Sequence, residues 1–533
     1  MDLIRNARVV TLDPAAPSGR AVVVDGGRVV RVEPEDRAAR AGEEALDAAG
    51  AVLVPAFHDA HVHLSQTGLA LGRVALGGAR SRDELLARLD AALDGPRDSP
   101  FLVGEGADES GWADARLPER ADLDRLSRDV PIVARRVCTH KAVANGAALA
   151  LIAAARREGG GDGAGAGAPF DSALIDSATG LLLEDAAMSL DARVLAPRPE
   201  DRVPAILRGA RHALAHGIAA ADEITSWPSV LAYLSLAEEG RLPIRITLHI
   251  LYEDLPRARA LGWRTGTRVG PGGRLAIGGI KLFADGSLGA RTAALREPYA
   301  DAPDTRGLLL LDAATLAARV AEIERAGFRA LVHAIGDAAI DAALSGFEAA
   351  AIAPGNPLGH RLEHVELVPD AAAVDRLARL GLAVAAQPNF VGAWQGDRGM
   401  YATRLGRDRA RRLNPFATLI RAGVPLAFSS DGMPIDPLFG IRSAARHPEP
   451  SERVEPLEAF RRYAEWGSRI AGEPPPRGRV TPGAPADFAL LSASPEEIAG
   501  AAGGDGSPAQ VLATIVDGAL AHDARDPRNA NPS

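Results

Sequence analysis

Residues 51–64 read AVLVPAFHDAHVHL, an apolar run that closes on two imidazoles. A stretch this apolar, without polar interruption until its end, is the pattern of a strand buried on both faces, as in a parallel sheet. His61 and His63 lie two residues apart, so on a strand both rings point to the same side and can reach one metal ion. Asp59, just before them, is placed to orient such a ligand, and His58 is a further polar group of the same strand end. An isolated His-x-His is a weak signal that structural histidines often explain. Its place at the end of an apolar strand is what gives it weight, because a parallel barrel keeps its reactive groups there.

Downstream, a helix-like segment at 206–216 is followed by strand-like runs at 218–221, 244–249, 279–283, 330–333, 360–364, 382–387 and 426–429. With the first strand these make eight, most of them separated by segments of helical periodicity such as 313–326 and 370–380. The expectation is an α/β protein whose body, residues 56–477, is a TIM-like (β/α)8 barrel. Residues 70–215 do not keep the rhythm. They offer a helix at 81–93, strands at 101–104 and 131–137, and a Gly-rich stretch at 159–169, and read as an insertion after strand one of the kind that builds lids and substrate walls. At the N-terminus, Val-rich runs at 7–12, 21–25 and 28–33 surround the turn Asp25-Gly26-Gly27, and similar runs recur at 487–491 and 511–516. Residues 1–55 and 478–533 are therefore expected to combine into a small composite β-sandwich domain.

The reactive residues fall on the ends of the expected barrel strands. His61 and His63 close strand one, Lys281 lies on strand four, His333 ends strand five, His364 ends strand six, and Asp431 follows strand eight. His333 and His364 are 31 residues apart, the length of one strand–helix unit, so they should be neighbours on one rim. Lys281 stands out by composition: 58 of the 60 Lys and Arg residues are arginines, and only Lys141 and Lys281 are lysines. A buried lysine amine can lose its proton and react, whereas a guanidinium stays protonated. Reaction with carbon dioxide would give a carbamate whose oxygens can bridge two metal ions.

These residues suggest His61, His63 and Asp431 on one ion, His333 and His364 on another, and modified Lys281 between them, with one or two ions in all. Mixed nitrogen and oxygen ligation suits Zn²⁺, and Mn²⁺, Fe²⁺ or Ni²⁺ are compatible by residue type. Two ions about 3.5 to 4 Å apart lower the pKa of a shared water, and the resulting hydroxide can attack a carbonyl. Asp431 would act as general base and then general acid, accepting the proton and returning it to the departing amine.

The net charge of −9 comes without a basic patch, which argues against a nucleic-acid partner. A single cysteine, Cys138, excludes an intramolecular disulfide framework and fits a cytoplasmic setting. The start, MDLIRNARVV, lacks the apolar segment of a signal peptide, and no run is long enough to span a bilayer. The expected partner is a small-molecule substrate, and a homodimer is the expected assembly.

Taken together the chain resembles the amidohydrolase superfamily and, within it, the YtcJ-like branch that includes N-substituted formamide deformylases. The resemblance rests on PAFHDAHVHL, GWADARLPERADLD, GGIKLFADGSLGART, HAIGDAAI, RLEHVE, AAQPNF, SSDGMPIDP and TPGAPADFALL, and it covers nearly the whole sequence. It implies a metal-dependent barrel with a composite β-domain and hydrolysis of an amide or similar C–N bond. The family's metal-binding roles map onto His61, His63, Lys281, His333, His364 and Asp431. Candidate substrate-binding residues are His140, Arg291, Gln387 and Asn389. Departures from the pattern are Ala56 in place of Gly, Thr139-His140-Lys141-Ala142-Val143 in place of Gly-His-Ser-Ala-Trp, and Ala220 to Glu223 in place of a Val-His-Asp segment. The last two bear on the substrate rather than on the metal. The competing readings are a mononuclear deaminase of an amino-substituted ring, which has no need of Lys281, and a non-catalytic regulatory barrel, which has no need of the ligand set.

Overall fold

The structure is a computed structural model and describes residues 1–95, 99–114, 116–136, 141–158, 174–183, 185–188, 190, 195, 199–432, 434–500 and 509–526. Eight parallel strands pair in chain order: β1 (Phe57–Val62), β2 (Ile218–Thr225), β3 (Arg245–Leu251), β4 (Leu275–Phe283), β5 (Arg329–Ala334), β6 (Arg361–His364), β7 (Ala383–Ala386) and β8 (Leu426–Phe428). The register sets Phe283 beside His333 and Ala334 beside His364. At the seam between β8 and β1, the backbone N–H of Asp431 donates to the carbonyl of His61 at 2.8 Å. The buried carboxylate of Asp59 reinforces the seam, accepting from the backbone N–H of Ser430 at 3.0 Å and from its hydroxyl at 2.6 Å.

The opening apolar run is two strands rather than one. Val52–Pro55 pairs antiparallel with Phe488–Leu491, Leu53 opposite Leu490, and parallel with Arg8–Val10. Ala56 donates its N–H to Asp487, and Phe57 donates to Gly217, so the chain passes from one sheet to the next within a residue. Pro55 has no N–H to carry the first ladder further. That first sheet runs Ala519–Asp523, Val511–Val516, Phe488–Leu491, Val52–Pro55, Arg8–Val10, Ser18–Gly19, drawing strands from both ends of the chain. A second sheet, in the order Arg28–Glu33, Ala21–Asp25, Leu3–Arg5, Ala45–Asp47, is N-terminal throughout. Ile4, Val22, Leu53, Phe488, Leu490 and Ile515 share one buried apolar cluster across the two.

Helices α1 (Ala313–Arg325), α2 (Asp337–Ala350) and α3 (Ala371–Leu380) follow β4, β5 and β6. Asp312 and Asp370 start α1 and α3 as N-caps, accepting from the N–H of Thr315 at 2.8 Å and Ala373 at 3.0 Å. Residues Met1–Leu64 and Ala210–Ser533 form one compact unit and Ser65–Gly209 a second. The second unit lies in sequence between β1 and β2 and has its own sheet: Ile175–Asp176, Leu181–Leu183, Lys141–Ala144, Ile132–Arg136, Leu102–Ala107, Val74–Ala75. One apolar cluster holds Val133, Ala142 and Leu182, and another holds Leu85, Leu123, Ile132 and Val143. The Gly-rich stretch, Cys138 and His140 lie outside the described residues. Among the described residues no helix is long and apolar enough to cross a membrane.

Candidate metal centre

His61 and His63 project from the end of β1 as an i, i+2 pair. Each uses Nδ1 on a fixed acceptor: His61 on the carboxylate of Glu363, His63 on the carbonyl of Ile224 at 2.9 Å. With Nδ1 engaged in this way, each ring turns Nε2 toward Asp431. These two nitrogens lie 3.3 and 3.1 Å from Asp431 Oδ1. His61, His63 and Asp431 are, among the described residues, the group of His, Cys, Asp and Glu side chains whose ligand atoms all lie within 4.8 Å of one another. The side chains of His63 and Asp431 remain 36% and 23% exposed, so this set opens on solvent.

His364 reaches the same place by a backbone device. Glu363 and His364 are consecutive, and on a regular strand they would face opposite sides. His364 instead has φ of +74°, in the left-handed region that a non-glycine residue adopts at a cost of about 1–3 kcal/mol, and Asp431 likewise has φ of +56°. The turn brings the His364 ring within 4.9 Å of the His61 ring and 4.4 Å of the His333 ring. His364 Nδ1 contacts Gln387 Oε1 at 2.8 Å. The Gln387 amide nitrogen donates to Ala385 and Ser429, which fixes its oxygen toward His364 and leaves His364 Nε2 available. His333 donates Nε2–H to the carbonyl of Gly286 at 3.0 Å, leaving Nδ1.

Lys281, on β4, is 2% exposed, and its Nζ is buried without a hydrogen-bond partner. Phe283 places its ring 5.1 Å from that amine and 5.5 Å from the His333 ring. Burial lowers the Lys281 pKa to about 8, against the opposing pull of Glu363 and Asp431. Burial, then the Lys281 charge, lowers His333 to about 3, and burial with the neighbouring His333 holds His364 well below the ordinary histidine range. Asp431 is driven the other way: burial opposes its ionisation, but His61 and His63 hold it well below the usual carboxylate range. Imidazole nitrogens, an ionised carboxylate and an amine stripped of water are a donor set that a divalent cation complements. The orphaned Nζ and the convergent Nε2 atoms fit a metal at this place.

The four substrate-binding candidates fare differently. Gln387 is buried, and its amide oxygen is engaged by His364 Nδ1. Asn389 is fully buried, donating to the Pro434 carbonyl at 2.6 Å and accepting from Tyr463 at 2.9 Å, which spends its amide on structure. Arg291 pairs with Asp301 through two contacts of 3.1 and 3.0 Å. His140 lies outside the described residues.

Three acidic groups escape a motif reading. Glu363 anchors His61. Glu223 accepts the backbone N–H of Leu64, just after His63. Asp285 accepts the N–H groups of Ala294, Ile335 and Gly336 and lies 3.6 Å from His333 Nε2; burial outweighs those bonds and lifts its pKa to about 7. Glu363 sits beside His364 in sequence and Asp285 within GGIKLFADGSLGAR, which was the available signal for those two, whereas Glu223 stands only in the departing segment Ala220 to Glu223.

A near-closed parallel barrel with polar groups converging at its strand ends carries them where such barrels keep their active sites. A sequence model of the amidohydrolase family matches residues 44–522, and the chain belongs to that family. It is 30% identical over 510 residues to the putative amidohydrolase YtcJ of Bacillus subtilis (strain 168), covering 90% of each chain. It is 27% identical over 553 residues to the N-substituted formamide deformylase of Arthrobacter pascens, covering 98% of each. Among solved structures, an uncharacterised metal-dependent hydrolase from Pyrococcus furiosus superposes with a TM-score of 0.76 at 28% identity, over 92% of this chain and 99% of that one.

Proposed function

We propose that this protein hydrolyses an amide-type C–N bond, in an N-acyl, N-formyl or cyclic amide, with a divalent metal, zinc by donor type. The observation that carries the reading is the convergence of His61 Nε2, His63 Nε2 and Asp431 Oδ1 beside a buried, unpartnered Lys281. His61, His63 and Asp431 would hold one ion; His333 Nδ1 and His364 Nε2 would hold a second, with Lys281 as a carbamate between them. The metal supplies a lowered water pKa and polarisation of the scissile carbonyl.

The chain's own residues do the rest. Glu363, Ile224 and Gln387 keep the ring protons of His61, His63 and His364 on Nδ1, so the ligands are set before metal arrives. Asp431, ionised and partly open to solvent, accepts the proton released as water adds to the carbonyl carbon, and delivers it to the nitrogen as the C–N bond breaks. Phe283 beside Lys281 and His333 keeps that side of the site apolar and strengthens the electrostatics inside it. A low cysteine content supports a cytoplasmic setting.

The test is a panel of N-formyl amines, N-acyl amines, cyclic amides and carbamates with zinc-loaded protein, and amino-substituted rings alongside. Release of an amine and a carboxylic acid from an open-chain amide, or opening of a cyclic amide to one amino-carboxylic acid, supports this reading. Release of ammonia from the amino-substituted rings alone would replace it with the deaminase.

A further inference from the structure

Beneath the candidate metal centre the barrel interior carries charge where branched apolar side chains usually fill the space. Arg361 and Glu363 are two apart on β6 and so face the same side of the strand. Arg361, Glu363 and Asp222 on β2 are each 0% exposed. The guanidinium of Arg361 makes four directed contacts: Nε to Glu363 Oε1 at 2.6 Å, Nη1 to Asp222 Oδ2 at 2.7 Å, and Nη2 to the carbonyl of Ala60 at 3.0 Å and to His249 Nε2 at 3.2 Å. The other oxygen of Glu363 accepts from His61 Nδ1. Asp222 is itself held, with His58 Nε2 at 2.8 Å from one oxygen and His249 Nε2 at 3.3 Å from the other.

Two features separate this row from a barrel plug. The first is direction: every bond of the guanidinium reaches a group that touches His61, holds its strand, or holds Arg361. Glu363 grips the His61 ring, and Ala60 is the residue before His61 on β1. The second is charge. One guanidinium is shared by two buried carboxylates, and Glu363 sets its charge against a ligand of the expected cation. A buried carboxylate is costly unless it is paired and hydrogen-bonded. Arg361 supplies the pairing through a planar fork whose separate N–H groups reach Glu363, Asp222 and Ala60 at once, which a lysine ammonium cannot match.

We propose that Arg361 is a positioning residue of the metal centre: it locks Glu363 and the Ala60 carbonyl together so that His61 keeps its proton on Nδ1 and offers Nε2 to the metal, while Asp222 holds Arg361 in that pose. The inference rests on the metal-site reading above, but it concerns metal affinity and needs no substrate.

The test is the zinc dissociation constant, measured by competition with a chromophoric chelator, for wild type, Glu363→Gln, Arg361→Met, the double variant and Arg329→Met. Arg329 is a control: it is also a buried arginine of the barrel, 5% exposed, and its guanidinium donates to the carbonyl of Ile470 rather than to Glu363. Glu363→Gln and Arg361→Met should each weaken zinc by about 10- to 100-fold. The double variant should be no weaker than the worse single one, because Arg361 acts through Glu363. Arg329→Met should stay within about threefold of wild type. Should Arg361→Met fail to fold, Arg361→Lys replaces it, with zinc again weakened because a single ammonium cannot serve Glu363, Asp222 and Ala60 together. Unchanged affinity in Glu363→Gln, additive losses in the double variant, or an equal loss in Arg329→Met would overturn the proposal while leaving the metal site in place. A wild-type protein that binds no zinc would remove the site and the proposal with it.

Discussion

Lys281 joins two facts at one position: its amine is buried without a partner, and its pKa is brought to about 8 by that burial. An amine that easily loses its proton is the form that reacts with carbon dioxide. Lys281→Ala should therefore lower kcat/KM by about a hundredfold or more, and short carboxylic acids should restore part of it by supplying the missing oxygens. Lys281→Arg should respond to no such addition, since a guanidinium stays protonated. Asp59 gives a prediction of a different kind, read in metal-free protein. Burial lifts its folded-state pKa to about 6, against the bonds from Ser430 that favour ionisation. The folded state thus binds more protons than the unfolded one between about pH 4 and 6, and stability falls as pH rises through that window, by roughly 3 kcal/mol in full. Asp59→Asn should flatten that fall in urea midpoints, whereas parallel curves for variant and wild type would contradict it. His61, His63, His333, His364 and Asp431 were legible in the sequence because each sits where an apolar run stops, and Lys281 because it is one of two lysines in the chain. Glu363 was not, because strand alternation turns it away from His364. Only the +74° φ at His364 lets both neighbours face His61.

At the scale of elements, strand spacing was the most readable property. The runs at 279–283, 330–333 and 360–364 appear as β4, β5 and β6 with ends displaced by up to four residues. The first strand was harder, since Ala51 to Phe57 is apolar throughout and nothing in its hydropathy marks the change of sheet after Pro55. Only the ladder to Phe488–Leu491, more than 400 residues later, separates the two halves. On β4, Gly278 shows how closely the interior is filled. A Cβ at this position would press on the His249 ring and come within 2.8 Å of Thr247 Cγ2. Gly278→Ala should therefore cost about 1–3 kcal/mol by overpacking, seen as a lower urea midpoint with an unchanged m-value. An unchanged midpoint would mean that β3 yields more than this packing implies.

The whole molecule comprises two compact units, and they were unequally legible. The barrel announces itself through repetition. The unit Ser65–Gly209 has strands of two to six residues in a mixed sheet whose order departs from chain order at one edge, so no period repeats and the sequence reads as an irregular insertion. Its two apolar clusters are nonetheless those of a folded body. Zinc binding to the folded state should raise global stability by mass action, about 2.7 kcal/mol when free zinc is roughly a hundred times its dissociation constant. A chelator should accordingly lower the melting temperature and zinc restore it, and a melting temperature indifferent to both would oppose a site preformed in the fold. The most direct test of the central claim is hydrolysis by one preparation measured as loaded, after chelator treatment, and after stepwise return of zinc. The account predicts that turnover of an amide-type substrate disappears on stripping and returns in proportion to the zinc bound; hydrolysis that persists undiminished in the metal-free protein would contradict it.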